Sequence, residues 1–498
     1  MTEPSLYEQV LAQIEQGATP PATKPPRSSA SVVLWRRRDD ELEVFWVKRA
    51  EQMPFMGGFH AFPGGGLSRQ DREVQVEGRP VGVDGAPERA ALPVAVTDGI
   101  EDLGPILTPG LVACALRELH EETGLEVAAG KLVYAGRWLT PPLGPIRFDN
   151  RFFLLEWPEI EGRQPAAASS EAEYGEWIRP VRALERWRSG DVMTAPPILH
   201  ILEVLNAEGP QQGLGRLREP LEANLGPHRR IEFRPGVLLF PLKTPTLPPA
   251  TYTNSYVLGT ERVVLVDPGS PFDTEIDRLQ QAVAQLAAKA GRKVEAIWLT
   301  HHHPDHIGGV ESLRRTLEVP VLAHASTAER LQSNGISIDD ELVDGQRVVL
   351  EGDPPFPVRV FHTPGHARGH LCFLDETHGS LLAGDLVAGF GTIVVDPPEG
   401  NMEDYLTSLR RMRNLGPRAL FPAHGPATKN AVAKLDEYLQ HRLRREDRIL
   451  QTWRAGRRVP REIFAEVYDD VPPIAQPLAE RQIQAHLERL RATGKIGE

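Results

Sequence analysis

Short apolar runs closed by glycine, proline or charge recur along the chain and alternate with stretches of helical period. Ala30–Trp35 and Leu42–Lys48 read as a β-hairpin around Arg37-Arg38-Asp39-Asp40. Val112, Ala115, Leu116 and Leu119 form one face of a helix, and Gly124 is suited to end it in the left-handed region. Val294–Leu299 reads as a buried strand, Asp273–Ala288 as a helix before it and Glu403–Asn414 as a later helix. Beyond Lys434, the segments around Tyr438–Arg442, Arg445–Leu450, Pro460–Phe464 and Arg481–Leu490 predict helices, and Gly494-Lys495-Ile496 a turn into a short strand. Together these predict a multidomain chain of α/β and α+β class.

The ends and joints have a different texture. In residues 1–27, Leu6, Val10, Leu11 and Ile14 share a helical face before the proline-rich linker Thr19–Pro26. Residues 206–229, with Gly209-Pro210 and Gly213-Leu214-Gly215, read as a second linker. A chain of 498 residues, 41% hydrophobic and 25% charged, predicts roughly three globular domains. A net charge of −12 argues against a protein built to coat nucleic acid, while leaving room for a local basic patch. The two cysteines, Cys114 and Cys372, sit in apolar contexts and exclude a disulfide framework. No apolar run reaches membrane-spanning length and no secretory pattern opens the chain, so the expectation is a cytoplasmic protein with no membrane partner; the oligomeric state is open.

Candidate chemistry concentrates after the Val294–Leu299 strand, in Thr300-His301-His302-His303-Pro304-Asp305-His306-Ile307-Gly308-Gly309. Imidazoles and carboxylates packed this closely suit a loop that binds zinc or a similar divalent metal. The alternative, a solvated histidine-rich loop, does not account for His366, Asp385 and His424, which follow in order, each at the end of a short apolar run. This set resembles the metallo-β-lactamase superfamily over residues 230–436, with Asn254–Val257 and Val263–Asp267 resembling its first strands. The resemblance implies an αββα sandwich with two zinc ions, or similar divalent metals, at one edge. His301, His303 and His366 would hold one metal, Asp305, His306 and His424 the other, and Asp385 would bridge them. An aspartate at the bridge points to the glyoxalase II and nuclease side of the superfamily. A metal-bound hydroxide would attack an ester, thioester or phosphodiester, with Asp305 orienting it or shuttling a proton. His370 would either touch substrate or orient a ligand, the second being favoured.

A second candidate lies on the Val112–Thr123 helix. Glu118, Glu121 and Glu122 converge on one side, where carboxylates repel unless a cation such as magnesium or manganese sits among them. An ordinary solvated acidic face is the alternative. Phe62-Pro63-Gly64-Gly65-Gly66 with Arg117-Glu118-Leu119-His120-Glu121-Glu122-Thr123-Gly124-Leu125 resembles the Nudix hydrolase box, over residues 28–205. That implies an αβα sandwich that cleaves a small-molecule diphosphate, of nucleoside-diphosphate or coenzyme A type. Glu118, Glu121 and Glu122 would carry Mg or Mn, with Glu121 and Glu122 catalytic. Arg117 would brace the box by pairing with an acid, and Glu173 or Glu176 would supply a further carboxylate. Residues 68–110 interrupt the box, and Pro109 stands where the bracing acid is expected, so a ligand-sensing domain without catalysis is the competing reading.

Residues 437–498 predict a small winged-helix domain. With the metal motifs, they resemble a metallo-β-lactamase-fold endoribonuclease lineage that cuts single-stranded RNA. Arg442, Arg444, Arg445 and Arg448 could steer a phosphate chain, although Glu446 and Asp447 among them favour a salt-bridged face. Single-stranded RNA is the favoured substrate class for this half, and a glyoxalase II-like or acyl-thioester hydrolase is the runner-up.

Overall fold

The computed structural model describes residues 25–497 except 54, 75, 77, 79, 82–106, 145, 158–164, 166–169, 220–230, 333–334 and 469–475. The N-terminal helix, most of the first linker and much of the insertion therefore lie outside the described residues. The chain divides into two compact units, Thr23–Phe240 and Pro241–Glu498. No described helix is long and apolar enough to cross a membrane.

In the first unit, β1 (Arg27–Arg38) and β2 (Glu41–Arg49) form the expected hairpin, turning at Asp39 and Asp40 with φ of 51° and 64°. With β3 (His60–Ala61), β4 (Gly64–Gly66), β5 (Val133–Leu139), β6 (Phe148–Glu156) and β7 (Ala172–Ile178), they build one sheet. Its order is β3-β2-β1-β6-β5, with β4 on β1 and β7 on β2. β1 is buried on both faces, which is why it reads as continuously apolar. Val32 and Leu34 pack with Val112, Ala115 and Leu119 of α1 (Pro109–Thr123). Val33 and Trp35 pack with Leu184 and Trp187 of α2 (Pro180–Arg188) and Ile201 and Leu205 of α3 (Pro196–Gln212). The result is a helix–sheet–helix sandwich. Helix α1 starts where Thr108 accepts from Leu111 N–H and ends at Gly124, whose φ is 71°.

Residues 206–218, read above as linker, are helical instead. Helix α3 runs on to Gln212 with a break at Gly209, and α4 (Leu214–Arg218) follows. Leu205 and Leu217 are buried in the same core, so the glycines and Pro210 mark a kink in a packed helix.

A hairpin, β8 (Ile231–Arg234) and β9 (Val237–Lys243), stands where the two units divide. In the second unit, β10 (Tyr252–Gly259), β11 (Arg262–Val266), β12 (Lys293–Trp298), β13 (Val321–Ala323) and β14 (Asp340–Glu341) lie side by side in that order. Helix α5 (Asp273–Ala290) packs on β12, α6 (Pro304–Ile307) and α7 (Val310–Leu317) follow β12, and α8 (Ala325–Gln332) follows β13. A second sheet orders β15 (Arg347–Leu350), β16 (Phe356–His362), β17 (Leu371–Asp375), β18 (Ser380–Gly384) and β19 (Ala419–Pro422). The two sheets face each other, with Trp298 of β12 and Phe373 of β17 at 5.2 Å between ring centroids. Leu406 and Leu409 of α9 (Met402–Leu415) and Leu435 and Tyr438 of α10 (Ala431–Arg454) cover the outer face of the second sheet.

The predicted domain cut at 436/437 falls inside α10. Its first half belongs to the sandwich core, while Ile449 and Trp453 join Ile463 and Val467 of α11 (Pro460–Val467) and Ile483, Leu487 and Leu490 of α12 (Gln476–Ala492). One amphipathic helix thus serves two cores. Residues 493–497 form turns, and the short strand expected there is not present.

One glycine fixes the backbone beside a candidate ligand. Gly365 has φ of 134°, and a Cβ there would lie 2.3 Å from Tyr405 Cα in α9. Gly365→Ala should therefore cost about 2–3 kcal/mol in chemical denaturation and displace His366. A stability equal to that of the parent protein would contradict this packing account.

Candidate metal centre

Every histidine–aspartate motif named above follows a strand of the second unit. His301, His303, Asp305 and His306 follow β12, His366 follows β16, Asp385 follows β18 and His424 follows β19. Strand ends from both sheets thereby converge. Three overlapping groups result: His301, His303 and His366; His301, His306 and Asp385; and Asp305, His306 and His424, each with ligand atoms within 4.8 Å of one another. Asp385 stands between the first and the last, with Oδ2 at 3.4 Å from His366 Nε2 and Oδ1 at 3.3 Å from His424 Nε2.

The protons explain what this cluster needs. Thr300 Oγ1 donates to Asp267 Oδ2 at 2.6 Å, so it accepts from His301 Nδ1 at 3.0 Å. His366 Nδ1 donates to the Val394 carbonyl at 2.6 Å. Both rings therefore present bare Nε2 lone pairs to each other, 3.2 Å apart, with His303 Nδ1 2.9 Å from each. Burial lowers the basicity of all three rings, and each also feels its charged neighbours. A tetrahedral zinc with bonds of about 2.0–2.1 Å spaces its ligand atoms about 3.3 Å apart, close to these separations.

The other half repeats the problem with carboxylates. His306 Nδ1 donates to Asp267 Oδ2 at 2.8 Å, and its Nε2 lies 3.7 Å from Asp385 Oδ1. Among the described residues, neither of these two buried atoms has a hydrogen-bond partner. Burial opposes a charge on His306, but Asp305, Asp267 and Asp385 outweigh it and push its pKa up to about 10. Burial likewise opposes charge on Asp385, and His424 and His306 outweigh it to hold that carboxyl well below its usual range. The imidazole and carboxylate donors fit two divalent cations, and the pull of these carboxylates on a proton at His306 shows that positive charge is favoured there.

A supporting ring holds these side chains. Asp267, just past β11 with φ of 47°, accepts from Thr300 N–H at 2.7 Å as well as from His306. Thr253 Oγ1 donates to Asp305 Oδ2 at 3.1 Å, and His424 Nδ1 faces the Tyr252 carbonyl at 3.1 Å. His370 is fully buried. Its Nδ1 meets Thr363 Oγ1 at 2.8 Å, and its Nε2 accepts the Asp385 backbone N–H at 2.9 Å. Burial pushes its pKa down to about 3, which keeps that acceptor bare.

The C-terminal helices join this ring. Arg442 donates to Gln482 Oε1 at 2.7 Å, and both side chains donate to the Ile393 carbonyl. Arg481 pairs with Asp396 and the Pro397 carbonyl. Between those anchors lies Val394, whose carbonyl orients His366. Arg442 is thus a buried clamp rather than a phosphate-steering residue. Arg445 is also buried, donating to the Val467 carbonyl and stacking 4.1 Å over Tyr468. Arg448 donates to the Glu466 carbonyl at 2.8 Å, and Arg444 is exposed.

Residues 248–424 match the metallo-beta-lactamase superfamily. A "Beta-lactamase-like protein 2 homolog" of Drosophila melanogaster is 30% identical over 255 residues, covering 49% of this chain and 84% of that protein. The chain belongs to the metallo-β-lactamase superfamily. An "Atrochrysone carboxyl ACP thioesterase" of Aspergillus chevalieri is 31% identical over 254 residues, 49% of this chain and 77% of that protein. Residues 460–498 match the beta-lactamase associated winged helix domain, so a winged helix follows the metallo-β-lactamase fold. A NUDIX hydrolase structure from Alicyclobacillus acidocaldarius is similar over 37% of this chain and 93% of that chain, at 27% identity and a TM-score of 0.30.

In the first unit, the acid that braces Arg117 is Asp71, bound at 2.9 Å through both carboxylate oxygens. It lies at the start of the 68–110 stretch, so the expectation built on Pro109 looked at the wrong end of it. The spacing of Gly65, Gly66 and Asp71 was the available signal. Glu122 is buried and its Oε2 accepts Gly64 N–H at 3.3 Å; burial and then the Glu118 charge raise its pKa to about 8. Burial also raises Glu118. Glu121 is exposed and pairs with Arg117 at 2.9 Å, so the three glutamates are not gathered into one ligand group here. Glu173 and Glu176 are engaged by Lys48 at 2.5 Å and by Arg186 at 2.6 Å, while Glu171 is the further acid whose charge Glu118 and Glu122 feel.

Asp267→Asn and Arg442→Met should each weaken zinc binding about 10- to 100-fold in a chelator competition, because each acts through a ligand's orientation. Unchanged affinity in both would remove the supporting ring from the account.

Proposed function

We propose that the metallo-β-lactamase half is a two-metal hydrolase of acyl thioesters and that the first unit hydrolyses a diphosphate. The observation that carries the first part is the facing of bare imidazole nitrogens and ionised carboxylates across a buried cluster with Asp385 in its middle. Zinc bound there acidifies water and polarises the bond under attack. His370 and Thr363 fix Asp385, and Asp267 and Thr300 fix the histidine tautomers. The Asp305 carboxylate, which accepts from Thr253, would hold or pass on a proton in this reading. The thioester class is supported by the relative named as an acyl-carrier-protein thioesterase. It is supported further by the burial of Arg442 and Arg445, which leaves α10 a smaller basic face.

Single-stranded RNA cleavage is the second reading, favoured by the match to the superfamily-associated winged helix. For the first unit, diphosphate hydrolysis is supported by the Asp71–Arg117 brace and by Glu118 and Glu122, whose raised pKa values a cation would relieve. Mg or Mn suits those oxygen ligands.

Zinc-loaded protein should release free thiol from acyl-coenzyme A or acyl-pantetheine. Burial pushes the protein's own thiols, Cys114 and Cys372, up to about 12, which keeps that assay's background low. Asp385→Ala should reduce the rate by more than about a hundredfold. Cleavage of end-labelled single-stranded RNA, with no thioester turnover, would reverse the order of the two readings.

A further inference from the structure

The first unit contains a cavity of about 380 Å³ that the diphosphatase reading does not use. Its walls are mainly aromatic and aliphatic, with Phe55, Phe59, Phe148, Phe152 and Trp138 among them. Gly64, Gly65 and Glu171 lie in the same wall, on the carboxylate side. Behind it, Gly64 N–H donates to Glu122, and a Cβ on Gly65 would fall 2.2 Å from Glu118 Oε1. A ligand lying in the cavity therefore reaches the acidic cluster across glycine backbone, with no side chain interposed.

The polar groups of the wall are mostly committed to one another. Ser29 donates to Asn150 at 2.9 Å, Asn150 donates to Ser31 at 3.1 Å, and His60 Nε2 meets Tyr174 at 3.0 Å. Reading a nucleobase edge takes free donors and acceptors, and this wall has few to offer. Arg49 also lines the cavity and lowers the pKa of Glu122 by its charge; its buried Nε has no partner among the described residues. An unpaired guanidinium N–H beside a carboxylate cluster suits a phosphate oxygen.

We propose that this cavity holds the aliphatic chain of a diphosphate ester, with the diphosphate at Arg49 and the glutamates. The proposal rests on the diphosphatase reading for the role of the glutamates, and it adds the class of group attached to the diphosphate. Two sources share that chemistry: a prenyl-type diphosphate, in which the chain is attached directly, and an S-alkyl or acyl coenzyme A, in which pantetheine intervenes.

Calorimetric titration of the full chain with magnesium tests it, using alkyl diphosphates of increasing length beside S-alkyl coenzyme A thioethers, which a thioesterase cannot cleave. Affinity should rise roughly three- to fourfold per buried methylene until the cavity is full. Phe148→Asp should abolish this length dependence, and Ala61→Phe, which fills space without adding charge, should shorten the longest chain accepted. A length series confined to alkyl diphosphates assigns the first source, and one confined to the thioethers assigns the second. Affinity independent of length, or a length series unchanged in both variants, would overturn the proposal. Phosphate release measured on the same compounds separates the two ideas. Length-dependent binding without cleavage keeps the cavity assignment and removes the diphosphatase reading, whereas cleavage indifferent to chain length does the reverse.

Discussion

Imidazole nitrogens and carboxylate oxygens crowd one another in a buried space that favours positive charge among them. His301 and His366 have given their Nδ1 protons to Thr300 and Val394, so their Nε2 atoms meet with nothing between them. His306 has given its own to Asp267 and aims its other nitrogen at carboxylates. Such a contact is unfavourable in a low-dielectric interior unless positive charge occupies it. A divalent metal would relieve it, and much of the second unit keeps these side chains in that arrangement.

The supporting features come from distant parts of the chain. Two sheets stacked through Trp298 and Phe373 bring the ends of β12, β16, β18 and β19 together. Gly365 lets the backbone beside His366 pass against Tyr405. Helices α10 and α12 hold the Ile393–Pro397 segment whose carbonyl fixes the His366 ring. The winged helix, whatever else it binds, is in this way part of the metal centre's scaffold. This offers a physical reason for the catalytic fold and its C-terminal module to travel together.

The candidate ligand residues were legible because their chemistry is local: an H-x-H-x-D-H tract after an apolar run, then single histidines or aspartates after later runs. Asp267 carries the same signal, an acid closing the run Val263–Val266, yet its role depends on a left-handed backbone and a partner 39 positions away. Val394 was not legible, since it acts through a carbonyl that every residue has. Arg442 and Arg445 read as surface charge because an amphipathic helix with neighbouring acids normally is surface, and only the packing of α11 and α12 buries them. In the first unit, an insertion separated Asp71 from Arg117 and hid a pairing that is intimate in space. Glycine and proline at 209–215 gave the texture of a linker to what is a kinked helix against the core.

The most direct test is calorimetric titration of zinc into metal-free protein, repeated with Asp385→Ala. The account predicts two tight equivalents per chain, with the variant losing at least one and keeping its folded near-ultraviolet spectrum. Metal-free protein that takes up no tightly bound zinc while remaining folded would contradict the claim that the opposed lone pairs of this cluster are a binuclear site.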